Sequence, residues 1–264
     1  MSMPEILAPA GSPEALLAAL RCGADAVYVG GKQFSARQSA ENFDGAALKE
    51  AADLCHLYGA KLYLTVNTLV FDREFDALDA WIREAASCGI DAFLVQDLGV
   101  LALIQEIAPD VPVHASTQMT IHTKAGVEWA KRQGFSRVVV SREMSRKELA
   151  PLCQCGIEIE HFVHGALCMS VSGQCSLSAM IGSRSANRGR CAQACRLPFS
   201  ATGKAGVCAL SLKDLCLVPY MQQLMADGVA SLKIEGRRKR PEYVAAAVTA
   251  LVQARDGVEP DLET

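Results

Sequence analysis

Acidic side chains are missing from one long stretch of this 264-residue chain. Between His161 and Lys213 there is neither Asp nor Glu. Aromatic residues supply only 6% of the sequence, too few for an extended base-stacking platform. No apolar run approaches the roughly 20 residues that a membrane-spanning helix needs. The opening "MSMPEILAPAGSPE" has neither the cationic nor the apolar part of a secretory leader. These absences predict a cytoplasmic protein with no membrane partner, in a compartment where thiols stay reduced and disulfides are disfavoured. Two motifs are missing as well. No G-x-G-x-x-G follows the first strand-like run, and no H-E-x-x-H metallopeptidase helix is present.

What is present is an ordinary globular composition, half apolar and about a fifth charged, with eleven cysteines. Net charge is −3, but it is unevenly spread. The acid-free stretch holds Arg184, Arg188, Arg190, Arg196, Lys204 and Lys213, a local +6 that leaves −9 for the rest. A second basic run, "GRRKR", spans Gly236 to Arg240. Two readings stand side by side: a solvated surface whose arginines balance nearby thiolates, or a landing surface for an anionic partner such as RNA.

One phrase recurs: a helix-like segment, a glycine, then a short β-branched or aromatic run. It appears as "CGADAVYVGG", "YGAKLYLTVN", "CGIDAFLVQD", "QGFSRVVVSR", "CGIEIEHFVHG" and "DGVASLKIEG". The glycine suits the left-handed residue that closes a helix, and the apolar run suits a parallel strand buried on both faces. With "EILAPAG" and "VPVHAST" added, eight strands are expected near residues 5, 26, 61, 92, 112, 137, 157 and 231. Eight βα units predict a single (β/α)8 barrel over residues 1–264, with an open doubly wound sheet as the alternative. The widest gap between strands precedes the eighth. A cysteine-rich, basic insertion over 165–210 lies inside it, so it should emerge at the C-terminal mouth, where barrel enzymes place their chemistry.

Polar residues cluster at the expected strand ends: Asn67, Gln96, Asp97, His114, Ser116, Gln118, Arg142, Glu143, His164, Lys233, Glu235 and Arg237. Each alone reads as a loop cap or hydrogen-bond filler. Around one rim they predict a pocket for a small anion, with Arg142 and Lys233 as charge partners. Asn67, Gln96, Asp97, His114, Gln118, Arg142 and Arg237 are the candidate substrate-binding residues, and Lys233, Glu235 and His164 the candidate catalytic ones.

Seven cysteines read as packing residues: Cys22, Cys55, Cys88, Cys153, Cys155, Cys208 and Cys216. The other four, Cys168, Cys175, Cys191 and Cys195, follow the pattern Cys-x6-Cys-x15-Cys-x3-Cys amid serines and glycines. Zinc usually takes tight knuckles at both ends, and only the second pair here qualifies. An iron–sulfur cluster fits the unequal gaps better, and reduced structural cysteines remain a third reading. Cys168 with His164 four residues earlier also suggests a cysteine peptidase, but no orienting third group is apparent.

The stretch "EHFVHGALCMSVSGQCSLS" (Glu160 to Ser178) resembles the signature of the collagenase-like peptidase family U32. Glu160, Phe162, Gly165, Ala166, Leu167, Cys168, Gly173, Cys175, Leu177 and Ser178 all match it. "LAPAGSPEAL", "NRGRCAQACR" and "LKIEGRRKRPEYV" extend the likeness over the whole chain. The family name implies proteolysis. The resemblance also implies oxygen-independent hydroxylation: of a tRNA wobble uridine or a 23S rRNA cytidine at the ring 5-position, with prephenate as oxygen source, or of ubiquinone precursors. It implies a 4Fe-4S cluster on Cys168, Cys175, Cys191 and Cys195, fed by an electron donor, although some quinone-pathway relatives take one ligand from elsewhere. "RGRCAQACR" looks most like the rRNA-cytidine branch, whose members carry further C-terminal domains. A non-catalytic partner in a hydroxylase complex is the remaining alternative.

Overall fold

A computed structural model describes residues 3–37, 40–201 and 204–260. Eight parallel strands close into a barrel: β1 (Glu5–Pro9), β2 (Ala26–Gly30), β3 (Lys61–Val66), β4 (Ala92–Val95), β5 (Val113–Ala115), β6 (Arg137–Val139), β7 (Glu158–Gly165) and, as the eighth, β11 (Ser231–Ile234). Each pairs with its neighbour in chain order, and β11 closes the ring between β7 and β1. The (β/α)8 expectation is met strand by strand.

The helices α1 (Pro13–Arg21), α2 (Gly45–Leu57), α3 (Phe75–Ser87), α4 (Leu98–Ile107), α5 (Lys124–Arg132) and α6 (Arg146–Leu152) follow the first six strands. After β7 the chain makes its excursion before α8 (Met221–Asp227) and β11, and α9 (Pro241–Arg255) packs against α1. Local chemistry sets the helix ends. The Ser12 hydroxyl accepts from the Ala15 amide at 3.3 Å, with Pro13 opening α1. Gly228 closes α8 at φ +89°, a conformation that costs a side-chain-bearing residue energy.

Strand alternation sorts the core in two. Outward residues such as Ile6, Val27, Leu62, Phe93, Val138 and Leu232 pack under the helices in the larger cluster. Inward residues form a small collar of Leu7, Ala26, Tyr28, Tyr63, Ala92, Leu94, Val139 and Phe162. Away from the mouth, that collar sits against buried charge: Arg137 meets Glu5 at 2.6 Å, Glu158 at 2.7 Å and Glu160 at 3.2 Å.

The excursion after β7 contains short 3-10 turns, α7 (Leu177–Gly182), and an antiparallel hairpin of β8 (Phe199–Ala201) and β9 (Lys204–Val207). It returns through β10 (Leu215–Cys216), which pairs antiparallel with Gly165 and His164 at the end of β7. Cys55 and Cys88 are buried as expected, and Cys22, Cys153 and Cys155 are half-buried. Cys208 and Cys216 correct the packing reading. Both are exposed, because they sit where the excursion runs along the surface after β9 and on β10.

Candidate functional site

The C-terminal ends of the strands and the excursion enclose a cavity of about 550 Å³. Cys168, Cys175, Cys191 and Cys195 all line it, facing Tyr28, Arg37, Asn67, Gln118, Arg142, Phe162, Lys233, Glu235 and Arg237 from the barrel. The excursion is tied down by its own polar groups. Glu143, just after β6, accepts from the Ser172 amide at 2.5 Å and its hydroxyl at 2.8 Å. This holds Ser172 at φ +35°, which a serine does not adopt unaided. Gln174 donates to the Gln118 carbonyl at 2.7 Å. Arg196 donates to the Leu167 carbonyl at 2.6 Å and to Ser211 and Leu212 at 2.7 and 2.8 Å, drawing the excursion's two limbs together.

Two thiols accept backbone hydrogen bonds: Cys175 from the Leu177 amide at 3.3 Å and Cys191 from the Gln193 amide at 3.4 Å. Cys168 and Cys191 lie near enough to Cys195 that, after burial, their charge is a further cause raising its pKa. Among the described residues, no three His, Cys, Asp or Glu side chains converge as a single ion requires. All four thiols line the same cavity, which is the first requirement for ligating one shared inorganic group.

Across from the thiols, cations outnumber anions. Arg37 reaches Glu235 at 3.4 Å and Arg142 reaches it at 3.8 Å. The Arg142 side chain is 8% exposed, lies 5.2 Å over the Phe162 ring, and has no partner for its Nε among the described residues. Arg237 donates to the hydroxyls of Ser35 at 2.8 Å and Thr65 at 2.9 Å, neutral acceptors that leave its charge unspent. Burial, with Arg37 beside it, pulls the Arg237 pKa down to about 10. Burial works against the Glu235 carboxylate, but Arg37, Arg142, Arg237 and Lys233 outweigh it and hold its pKa below the usual range. Asn67 bridges two loops, accepting from the Ala36 amide at 3.1 Å and donating to Ser116 at 3.3 Å. Such a wall can bind a small anion with two acidic groups.

A profile of Peptidase family U32 matches residues 11–263. The chain belongs to peptidase family U32. This U32 chain is 35% identical to the "tRNA hydroxylation protein P1" of Bacillus subtilis over 98% of its own length and 65% of the relative's. It is 40% identical to the "23S rRNA 5-hydroxycytidine C2501 synthase" of Escherichia coli, over 91% and 37% respectively. A "Collagenase" of Porphyromonas gingivalis is 37% identical over 91% and 62%. The chain thus spans less than two thirds of the length of these relatives. A solved U32 peptidase superposes with a TM-score of 0.59 at 12% identity, over 89% of this chain and 94% of that one. Thiamine phosphate pyrophosphorylase from Pyrococcus furiosus gives 0.54 at 13% identity, over 97% and 96%, which speaks for the barrel alone.

Of the ten candidate substrate-binding and catalytic residues, Asn67, Gln118, Arg142, Lys233, Glu235 and Arg237 line the cavity of the U32 chain, and four do not. Asp97 is the N-cap of α4, accepting from the Gly99 and Val100 amides at 2.8 and 3.3 Å. Gln96 braces the turn after β5 by donating to the Gln118 carbonyl at 3.3 Å. His114 faces a hollow at the opposite end of the barrel with Arg137 and Tyr63. Burial, then Arg137, Lys233 and Lys61, drive its pKa far down, so the imidazole is neutral. His164 turns away because the β7–β11 register shifts there. Phe162 partners Lys233, but His164 partners the outward Ile234 and lies 5.6 Å from the Tyr243 ring. Two arginines of the basic stretches read as an RNA landing surface are otherwise placed. Arg188 binds Glu74 at 2.5 Å and the Leu69 carbonyl at 2.6 Å, and Arg237 is buried. The residues missed from sequence are Arg37, Tyr28, Glu160 and Arg137. Inward parity on β2, β6 and β7 marks the last three; nothing marks Arg37.

Proposed function

We propose that this chain takes part in oxygen-independent hydroxylation of an RNA pyrimidine at the ring 5-position, an rRNA cytidine or a tRNA uridine. The observation that carries the reading is the meeting of four thiols and an under-neutralised arginine cluster in one cavity. The names of the tRNA and rRNA relatives support the substrate class. Cys168, Cys175, Cys191 and Cys195 would hold a 4Fe-4S cluster, and the amides of Leu177 and Gln193 donate to two of those sulfurs. When bound, such a cluster supplies one-electron transfer or a Lewis-acidic iron.

The residues of the chain bind and orient. Arg37, Arg142 and Arg237 would grip the two carboxylates of prephenate, with Lys233 at the cavity floor. Tyr28 and Phe162 offer ring faces, and Asn67 and Gln118 offer amides for the edge of a flipped base. Exposed Arg184, Arg190 and Arg238 would meet RNA phosphate in a salt-dependent manner. A cysteine peptidase at Cys168 lacks its base, since no histidine is among the residues lining the cavity.

The test is iron and acid-labile sulfide analysis of protein prepared without oxygen, alongside nucleoside mass analysis of RNA from a strain lacking the gene. Expected are iron and sulfide in stoichiometric amounts, and loss of a 5-hydroxypyrimidine that the wild-type gene restores and Lys233→Ala does not. Zinc without sulfide would remove the cluster, and an unchanged nucleoside profile would remove the RNA reading.

A further inference from the structure

The barrel interior holds charge that the mouth alone does not explain. Lys233, which lines the cavity, donates from Nζ to Glu160 Oε1 at 2.7 Å. The other oxygen of Glu160 accepts from Arg137 at 3.2 Å, and Arg137 in turn holds Glu5 at 2.6 Å. Tyr63 and Ser231 donate to Glu5 at 2.6 and 3.0 Å. One unbroken series of charged hydrogen bonds therefore runs along the barrel axis from the cavity floor to the far end. Glu160 is wholly buried. It is the only hydrogen-bond partner of Lys233 Nζ among the described residues. The ammonium also lies 4.3 Å from the Tyr28 ring and 5.5 Å from the Phe162 ring.

We propose that Glu160 is a positioning residue for the mouth: anchored by Arg137, it fixes Lys233 as a charged ammonium between Tyr28 and Phe162, the anion-binding floor of the cavity. This rests on the reading of the cavity as an anion site. A lysine buried without a carboxylate sheds its proton near neutrality. The groups facing Lys233 are Tyr28 from β2, neutral His114 from β5, Arg137 from β6, Glu160 from β7 and Glu235 just beyond β11. Burial pulls the lysine below its ordinary pKa, and Glu160 is the first group opposing it. Glu235, shared with Arg37 and Arg142, opposes it after Glu160 and makes no hydrogen bond to Lys233 among the described residues. Two of the three ammonium hydrogens are left for a ligand.

The test follows the Lys233 side chain in the full chain by nitrogen-15 NMR, assigned with Lys233→Arg. Prephenate binding is measured alongside by calorimetry from pH 6 to 9. Glu160→Gln is expected to weaken the proton affinity of Lys233 about tenfold to a hundredfold. Prephenate affinity should then fall as pH rises, where the wild type stays level. Lys233→Arg in the Glu160→Gln background should remove that pH dependence, since a guanidinium keeps its charge. Glu160→Asp, which retains the charge but retracts it, should shift the lysine the same way by less, and it serves if Glu160→Gln does not fold. A Lys233 titration unmoved in the folded variant, with thermal stability alone reduced, overturns the proposal. If prephenate fails to bind the wild type, the anion reading falls, and the NMR titration still decides what Glu160 does.

Discussion

Arg137 and Arg142 sit in the same barrel, on and just after the same strand, with similarly buried side chains, yet their surroundings are opposites. Arg137 is matched by three carboxylates, those of Glu5, Glu158 and Glu160. Arg142 shares the single carboxylate of Glu235, at 3.8 Å, with Arg37. A buried charge whose partners are all supplied by the fold has nothing left to offer a ligand. One left short of partners is stable only because something else completes it, or because the site tolerates the cost. The far end of the barrel is therefore built for holding together, and the mouth for receiving.

That contrast can be broken by substitution. Arg137→Ala should have the largest effect, because it strands Glu5 and Glu160 in the interior. A loss of about 3 to 5 kcal/mol in urea unfolding is expected, and a loss near zero would mean the network is not structural. Arg142→Gln should do the reverse. Unfolding should be little changed, while prephenate binding in calorimetry weakens about tenfold to a hundredfold, the range for a lost charge-assisted contact. If Arg142→Gln destabilises the chain as much as Arg137→Ala, the two ends are not different in kind. Asp97→Ala removes the cap of α4 and should cost about 1 kcal/mol by thermal melting, with prephenate affinity retained. Smallest of all, His164→Phe keeps the ring against Tyr243 and should leave stability within about 0.5 kcal/mol. RNA hydroxylation by this variant should match wild type in complementation, and a loss there would return His164 to the site.

The barrel was legible because six of its eight strands carry the same glycine-then-strand phrase, and all eight fall where they are expected. The thiol quartet was legible as a group because the gap before β11 isolates it in one excursion. Depth along the barrel axis was not. His114 and Ser116 both point inward from β5, but two residues of strand separate them by about 7 Å. One therefore faces the far hollow and the other the mouth. Parity alone also cannot foresee the register shift that turns His164 outward. Asp97 carried a signal that was outweighed: an aspartate directly before an apolar helical run is a cap before it is anything else. Arg188 looked free only because its partner Glu74 lies in a different βα unit.

The excursion leaves β7 at Gly165 and comes back to the same residue, which pairs with Leu215 of β10. Partners in such an antiparallel pair stand only about 5 Å apart. The whole cysteine-bearing segment is thus a cassette whose two ends are already joined by the sheet. A tight turn could replace it without stretching the wall, and a cassette from another member of the family could be spliced in at the same seam. Separating what the thiols do from what the barrel does is, for this architecture, a matter of cutting at one place.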